Sequence, residues 1–289
     1  MSNPQPETRP AAAPFNSDDG DIVMRSSDNV DFCAHKLILA QASPVLKGIL
    51  EIPQPRPSTE SIRPVVRFSE DSTTLDSILR MLYGVPSPPS SDIDYVRPVL
   101  AAAEKYEFHS VAERVRERLM DWAAIEREPL RVYGLACGAG FEDVARQAAK
   151  LLVRHPIGGP YSEDLRCMTG GAYHRLVEYH EECGRAACAA LGSAEQWVWN
   201  HCEICPTDDS KGRSRRYIHE YFHDVCKALA HTPHAAVITD PLYTGPVVRA
   251  ACLCKRCAPL VCIELSKFVK ILQQEIEDSI AKVWFHIRL

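Results

Sequence analysis

Two short strand-like runs near the amino terminus predict a β-hairpin. The runs are Ile22–Arg25 and Val30–Ala34, and the polar residues 26–29, Ser-Ser-Asp-Asn, separate them. Ser, Asp and Asn side chains can hydrogen-bond to nearby backbone, and Asn29 tolerates a left-handed conformation, as a tight turn requires. The second run passes directly into a helical pattern at residues 37–43. The pattern therefore predicts a hairpin that feeds a helix.

Apolar residues at helical spacing predict several further helices along the chain. Pro44 opens a short helix to residue 50, and a strand is expected at residues 65–68 before the next helix. Such stripes arise because residues three and four positions apart share one helix face. The stripes are Leu75, Ile78, Leu79 and Leu82; Val111, Val115, Leu119 and Trp122; Phe141, Val144, Ala145, Ala148, Leu151 and Leu152; and Leu265, Phe268, Val269, Leu272, Ile276, Ile280 and Val283.

The residues of the hairpin and its first helices carry a family resemblance. Asp-Ile-Val at 21–23 precedes Phe-x-Ala-His-Lys-x-x-Leu-x-x-x-Ser-Pro-Val-Leu at 32–46. Together with Pro-Val-Val at 64–66 and the segment 70–83, these motifs resemble the BTB/POZ domain, and in particular the BTB proteins numerous in basidiomycete fungi. The resemblance extends to about residue 124, roughly a third of the chain. One departure is Leu46, where the family usually carries an aromatic residue.

The resemblance implies a fold and a role. It implies an α+β fold of short strands with a helical cluster, and a non-enzymatic protein–protein interaction module that self-associates, often as a homodimer. Some relatives recruit a cullin ubiquitin-ligase scaffold. The motif residues carried over are Asp21, His35 and Lys36, which in the family lie in or beside a groove near the dimer interface. The alternative is that His35 closes the hairpin by a hydrogen bond and Lys36 is a surface residue.

The chain is expected to have four parts. Residues 1–17, rich in Pro and Ala without periodicity, predict a disordered tail. Residues 18–124 are the BTB/POZ domain that the resemblance indicates. Residues 128–192 resemble the helical extension that follows many BTB domains, and Gly and Pro residues at 158–160 mark a boundary within it. Residues 193–289 form a helical region that contains most of the paired cysteines.

Charge and composition narrow the classes of function. The formal net charge of −5 argues against nucleic-acid binding driven by overall charge. The first residues do not form a secretory signal, and no apolar run approaches the ~20 residues that span a bilayer. The sequence therefore predicts an intracellular protein, cytoplasmic or nuclear. In that reducing compartment, the 12 cysteines favour metal binding over disulfides.

Two Cys-x-x-Cys pairs predict a structural zinc site. The pairs are Cys202 with Cys205 and Cys254 with Cys257, separated by residues 206–253. Two-residue spacing lets both thiolates of a pair face one ion, and two pairs complete a tetrahedral zinc site. The alternative is that these are buried thiols, since a free cysteine behaves as a small apolar residue.

Two other motifs suggest alternative functions. His-Glu-Tyr-Phe-His at 219–223 matches H-E-x-x-H, which on a helix can hold zinc with the glutamate as the general base of a metallopeptidase. Against a peptidase, Cys226 and Leu229 stand where the metzincin extension requires Gly and His. A basic cluster at 211–216 could be a nuclear import signal or an anion site, although a solvated loop is the simpler explanation. A further alternative is a ubiquitin ligase or transcription regulator whose cysteines recognise a partner directly. The leading prediction remains an interaction protein and not an enzyme.

Overall fold

A computed structural model describes residues 7–52, 63–86, 93–121, 124–158, 161, 163–194 and 216–284. The chain separates into two compact units, Met1–Ala124 and Ile125–Leu289. The first unit contains the strands and five helices of its described residues, and the second is built from helices alone in its described part.

The hairpin predicted from the sequence forms the centre of the first unit's sheet. Among the described residues, the sheet has four strands in the order β1-β3-β2-β4. The central strands are antiparallel, whereas β1 and β4 pair in parallel with β3 and β2. Asn29 adopts the expected left-handed conformation, with φ of 61°. The strands are β1 Arg9–Pro10, β2 Ile22–Arg25, β3 Val30–Ala34 and β4 Val65–Arg67.

The prediction that residues 1–17 form a disordered tail is wrong for its described part, from residue 7 onward. The backbone N–H groups of Arg9 and Ala11 donate to carbonyl groups of Asn29 and Asp31 at 3.0 and 2.9 Å. Phe15 is only 2% exposed, and its ring packs edge-on against another aromatic ring of the core. The average composition of the segment conceals this one aromatic anchor, whose burial is enough to order the backbone around it.

The helices of the first unit begin and end where local chemistry favours it. Ser43 accepts the Leu46 N–H at 2.9 Å and so caps α2. Asp71 caps α3 in the same way, and α3 ends at Gly84, whose φ of 66° suits a residue without a Cβ. The helices are α1 Lys36–Ala42, α2 Pro44–Glu51, α3 Ser72–Tyr83, α4 Val96–Lys105 and α5 His109–Asp121.

The predicted apolar stripes of α3 and α5 form much of the core of the first unit. Leu82 is an exception because it is only half-buried, while its neighbour Met81 is 7% exposed. Trp122, the last residue of the α5 stripe, lies outside the described residues. The buried members of these stripes are Leu75, Ile78, Leu79, Val111, Val115 and Leu119.

The second unit is a cluster of helices. The helices Pro129–Ala139 and Glu142–Leu152 follow one another in sequence and pack together, and Gly140, with φ of 75°, ends the first of them. The α-helices are α6 Ala124–Arg127, α7 Pro129–Ala139, α8 Glu142–Leu152, α9 Gly170–Ala194, α10 Arg216–His231, α11 Pro241–Cys252 and α12 Val261–Ala281; two 3-10 helices are Glu163–Cys167 and Ala235–Thr239.

A long central helix, α9, joins the parts of the second unit. It packs against both α10 and α12, and the facing apolar residues form one cluster. The helix α9 continues past residue 192, and the described parts of the predicted regions 128–192 and 193–289 share one apolar cluster. The division of the chain into domains at these bounds stays a prediction. The stripe predicted for the final helix is buried from Leu265 to Ile276, whereas Ile280 is partly buried.

None of the helices in the described residues could span a membrane.

Candidate interaction site

Asp21 fixes the start of the first helix. Its backbone N–H donates to the Ala34 carbonyl at 3.0 Å, just before β2 begins. Its carboxylate accepts the backbone N–H of Lys36 at 2.7 Å, which satisfies one of the orphan donors at the start of α1. A carboxylate at this end also interacts favourably with the helix dipole. The N-cap residue of α1 is His35, whose side chain makes no capping hydrogen bond. Asp21 therefore caps this helix in its place.

His35, the N-cap residue, is held by Tyr83 at the end of α3. The His35 backbone N–H donates to the tyrosine hydroxyl oxygen at 2.8 Å, and His35 Nδ1 lies 3.0 Å from the same oxygen. The tyrosine hydroxyl can donate to Nδ1 or accept from it, depending on the imidazole tautomer. Burial raises the pKa of Tyr83, and the bond from the His35 backbone acts in the opposite direction.

Lys36 contributes its backbone and not its charge. Within the described part of the chain neither Lys36 nor Asp21 makes an ion pair, and the Asp21 carboxylate accepts the backbone N–H of Lys36. The side chain of Lys36 is half-buried and Asp21 is exposed. Within one copy of the chain, this geometry fits the alternative in which His35 closes the hairpin and Lys36 lies at the surface. The role of the three residues in an interface stays a prediction.

Leu37 is the apolar side chain that this arrangement presents to solvent. It is 69% exposed on α1, directly after His35 and Lys36, whereas Leu39 on the opposite face is 1% exposed. Gln41, one turn further along, is also exposed, and Ala40 between them is half-buried. The face therefore offers an apolar contact whose position is fixed by the capped helix start.

The structure places one of the two cysteine pairs. Cys254 and Cys257 lie in the turn between α11 and α12 and are 8% and 4% exposed. The Cys257 N–H donates to the Cys254 carbonyl at 3.1 Å, so the two residues lie within a single turn. Both pack with Ala251 and Val261. The other predicted ligands, Cys202 and Cys205, lie outside the described residues.

The H-E-x-x-H motif lies on the solvent side of α10. His219 is half-buried, whereas Glu220 and His223 are exposed. The opposite face carries Tyr221, 3% exposed, whose hydroxyl donates to the Ile238 carbonyl at 2.8 Å. No group of three or more histidine, cysteine or acidic side chains suited to a metal ion occurs among the residues that the structure describes. The face of α10 that carries the H-E-x-x-H motif therefore points away from the core.

Sequence reasoning did not single out Tyr83 as part of the site. The residue is 48 positions from His35, and its hydroxyl reaches the histidine only because α3 packs beside the hairpin. The sequence signal that could have indicated Tyr83 is its position at the end of segment 70–83, which resembles the BTB/POZ domain. The basic cluster at 211–216 lies almost entirely outside the described residues, and nothing described bears on its role.

The first unit is similar to a known domain family. The family model of the BTB/POZ domain matches residues 15–121. The match includes the hairpin, the capped first helix and the site around Asp21 and His35, and it leaves residues 122–289 outside. No curated protein matches the chain. The α+β fold of short strands with a helical cluster, expected from the resemblance, is confirmed.

Proposed function

We propose that this BTB/POZ-containing chain is a non-enzymatic scaffold or adaptor that self-associates through the first helix of that domain. The coarser statement, a protein–protein interaction module, follows from the domain at residues 15–121. The observation that carries the finer proposal is Leu37, 69% exposed beside the motif residues. A homodimer contact built on an apolar side chain at a rigid helix start loses little conformational entropy on association.

The contacts around the motif support a preorganised surface. Asp21 and Tyr83 each bind the backbone at the start of α1, at 2.7 and 2.8 Å, so the helix cannot rotate without breaking both bonds. A second copy would use the same surface patch if the dimer has two-fold symmetry. Lys36 would then lie at the edge of the contact, where a charge sets orientation more than affinity.

Native mass spectrometry of the full chain at micromolar concentration tests the self-association. The proposal expects a species of twice the chain mass of 32.3 kDa, present before any partner is added. A monomer at every concentration tested would contradict self-association but leave open binding to another protein. Measuring binding to the amino-terminal region of a cullin separates these cases, since an adaptor binds it at a defined stoichiometry and a scaffold of another kind does not.

The cysteine pairs are proposed to form a structural zinc site. The support is the burial of Cys254 and Cys257 within one turn, together with the matching spacing of Cys202 and Cys205. Zinc would be held by the four thiolates and would stabilise the helical region without taking part in chemistry.

Measuring zinc bound per chain, on protein purified without chelator, tests this site. Replacing Cys254 by Ser should remove the zinc, whereas the same change at exposed Cys252 or Cys262 should not. Thiol blocking should also release it. Zinc that survives both treatments would contradict the cysteine site and favour the two histidines of α10 instead.

Three finer points complete the proposal. The proposed lack of enzyme activity is supported by the BTB/POZ domain, and Glu220 of the alternative metallopeptidase motif is exposed among the described residues. Assaying peptide hydrolysis before and after changing Glu220 to Gln tests the point, since an interaction protein has no activity to lose. The transcription-regulator alternative, the intracellular location and the likeness to the basidiomycete group rest on the sequence alone.

A further inference from the structure

The turn between α11 and α12 exposes apolar side chains that the core of the second unit does not use. Leu253, at the C-cap of α11, is 89% exposed, and Leu260, at the N-cap of α12, is 50% exposed. Ile263, in the first turn of α12, is 57% exposed. Residues 252–263 are called the α11–α12 tip below. Exposed apolar side chains that occur together mark a binding surface, whereas single ones are ordinary.

Hydrogen bonds order the backbone of the tip. The Cys257 N–H donates to the Cys254 carbonyl at 3.1 Å, and the Val261 N–H donates to the Cys257 carbonyl at 2.9 Å. The same three residues are buried in one small cluster with Ala251. Because the turn buries this cluster, the side chains at its other positions, the two leucines among them, face outward.

Positive charge surrounds the tip in a chain whose formal net charge is −5. Residues 249–270 contain five cationic side chains against one carboxylate, that of the half-buried Glu264. All five cations are exposed, and none of them forms an ion pair with any residue that the structure describes. Their charges are therefore available to an external anionic surface. The cations are Arg249, Lys255, Arg256, Lys267 and Lys270.

Two of these lysines share one face of α12 with the apolar side chains. Ile263, Lys267 and Lys270 are three or four positions apart, so they lie along one stripe of the helix, which Leu260 begins. The opposite face is buried in the helical core. Further along α12, residues 275–278 carry three carboxylates. The combination of cations and apolar side chains is therefore confined to the tip and the first half of the helix.

The composition of this surface favours a lipid surface over a protein or a nucleic acid. Protein interfaces are enriched in aromatic residues and depleted of lysine, whereas this surface exposes three lysines and its large apolar members are all aliphatic. A nucleic acid would use the cations and leave the aliphatic side chains exposed. Aliphatic side chains beside Lys and Arg are typical of segments that insert partly into the headgroup layer of an anionic membrane.

We propose that the α11–α12 tip binds the surface of a membrane rich in anionic phospholipids. Leu253, Leu260 and Ile263 enter the boundary between headgroups and acyl chains, and the five cations contact the anionic headgroups around them. The contact is peripheral and needs no membrane-spanning helix. It goes beyond the proposed interaction role and does not depend on self-association through α1.

Cosedimentation of the full-length protein with vesicles tests the proposal. One set of vesicles contains equal parts of phosphatidylcholine and phosphatidylserine, and the other contains phosphatidylcholine alone. The protein should partition onto the anionic vesicles at least about tenfold more strongly, since each cation near an anionic surface contributes about fivefold. Raised salt should weaken this binding without abolishing it, because the apolar contact remains. Equal partitioning onto both sets, or onto neither, would overturn the proposal.

Removal of apolar area tests the insertion. Leu253→Ser combined with Leu260→Ser should weaken binding to the anionic vesicles about tenfold, because binding scales with the apolar area buried. Leu242→Ser is the control, since Leu242 is 69% exposed at the other end of α11. Unchanged binding of the double variant would overturn the membrane contact and would favour an acidic protein or nucleic acid held by the cations alone.

Removal of charge tests the electrostatic part. Lys255→Gln combined with Arg256→Gln should lower partitioning onto the anionic vesicles at least about tenfold. Lys47→Gln combined with Lys150→Gln removes the same charge from exposed positions of α2 and α8 and should leave partitioning unchanged. An equal loss in both double variants would mean attraction by overall charge and would overturn the site.

Discussion

Tyr83 and His35 are joined by two contacts to a single oxygen. The histidine N–H donates to the tyrosine hydroxyl at 2.8 Å, and the imidazole Nδ1 lies 3.0 Å from it. The hydroxyl links the end of α3 to the start of α1, next to the exposed Leu37. The orientation of the proposed dimer surface therefore depends on a residue from another helix.

Replacing Tyr83 by Phe should lower the free energy of unfolding by about 1–2 kcal/mol. The change removes both contacts and leaves the His35 N–H without its partner, at the usual net cost of lost hydrogen bonds. The ring packing against Phe15 is retained, so the effect isolates the hydroxyl. Urea denaturation measures it, with Tyr161→Phe, at a position 65% exposed, as the neutral control. Equal stability of the two variants would mean that the hydroxyl is not a structural link.

Phe15→Ala should destabilise the first unit by about 3–5 kcal/mol, the range for removing a buried aromatic ring. Phe15 is 2% exposed, and its ring centroid is 5.5 Å from that of Tyr83 and 6.3 Å from that of Phe32. Thermal unfolding followed by circular dichroism checks it. A neutral result would restore the disordered tail that composition suggests for the first residues.

Gly20→Ala should lower stability by about 1–3 kcal/mol, because the structure has no room for a methyl group there. A Cβ at Gly20 would lie 2.7 Å from the Ala34 carbonyl oxygen and 2.8 Å from the Ala34 nitrogen, both backbone atoms. Gly48 in α2 is the matched control, since its Cβ would meet nothing within 4 Å. Gly48→Ala should raise stability by about 0.5–1 kcal/mol through helix propensity. Effects of the same sign in urea unfolding would contradict this contrast.

His180 should make the second unit less stable in acid. The residue is 2% exposed and its Nε2 donates to the His155 carbonyl at 3.0 Å. Burial lowers the pKa of His180, and His231 lowers it further, while the bond to His155 and the nearby Glu181 raise it. Since the folded-state pKa lies below the ordinary 6.5, the neutral form is favoured on folding. Its contribution is fully present above pH 6.5 and is lost as the pH falls through the lower folded-state pKa.

Unfolding free energies measured from pH 7.5 down to 5 test this effect. His180→Gln should reduce the loss of stability on acidification, because the glutamine amide can still donate to the carbonyl but does not titrate. His174→Gln is the control on the same helix, since the His174 side chain is 73% exposed. The account is contradicted if the wild type and His180→Gln lose stability in parallel.

The sequence predicted what depends on neighbours along the chain. The turn at residues 26–29 and the apolar stripes of α3 and α5 are local patterns, and the structure contains them. Gly20 and Phe15 were missed because their roles depend on Ala34 and Tyr83, which are close in space and distant in sequence. The link from His35 to Tyr83 was missed for the same reason.

Sedimentation velocity of the Leu37→Asp variant tests self-association most directly. A charge at the centre of the proposed contact would be buried without a partner, so the dimer dissociation constant should rise at least about tenfold. Leu253→Asp is the matched control, since Leu253 is 89% exposed and lies in the second unit. The account predicts monomers for Leu37→Asp and dimers for the wild type and the control. Dimers of unchanged affinity in Leu37→Asp would contradict a contact through the first helix.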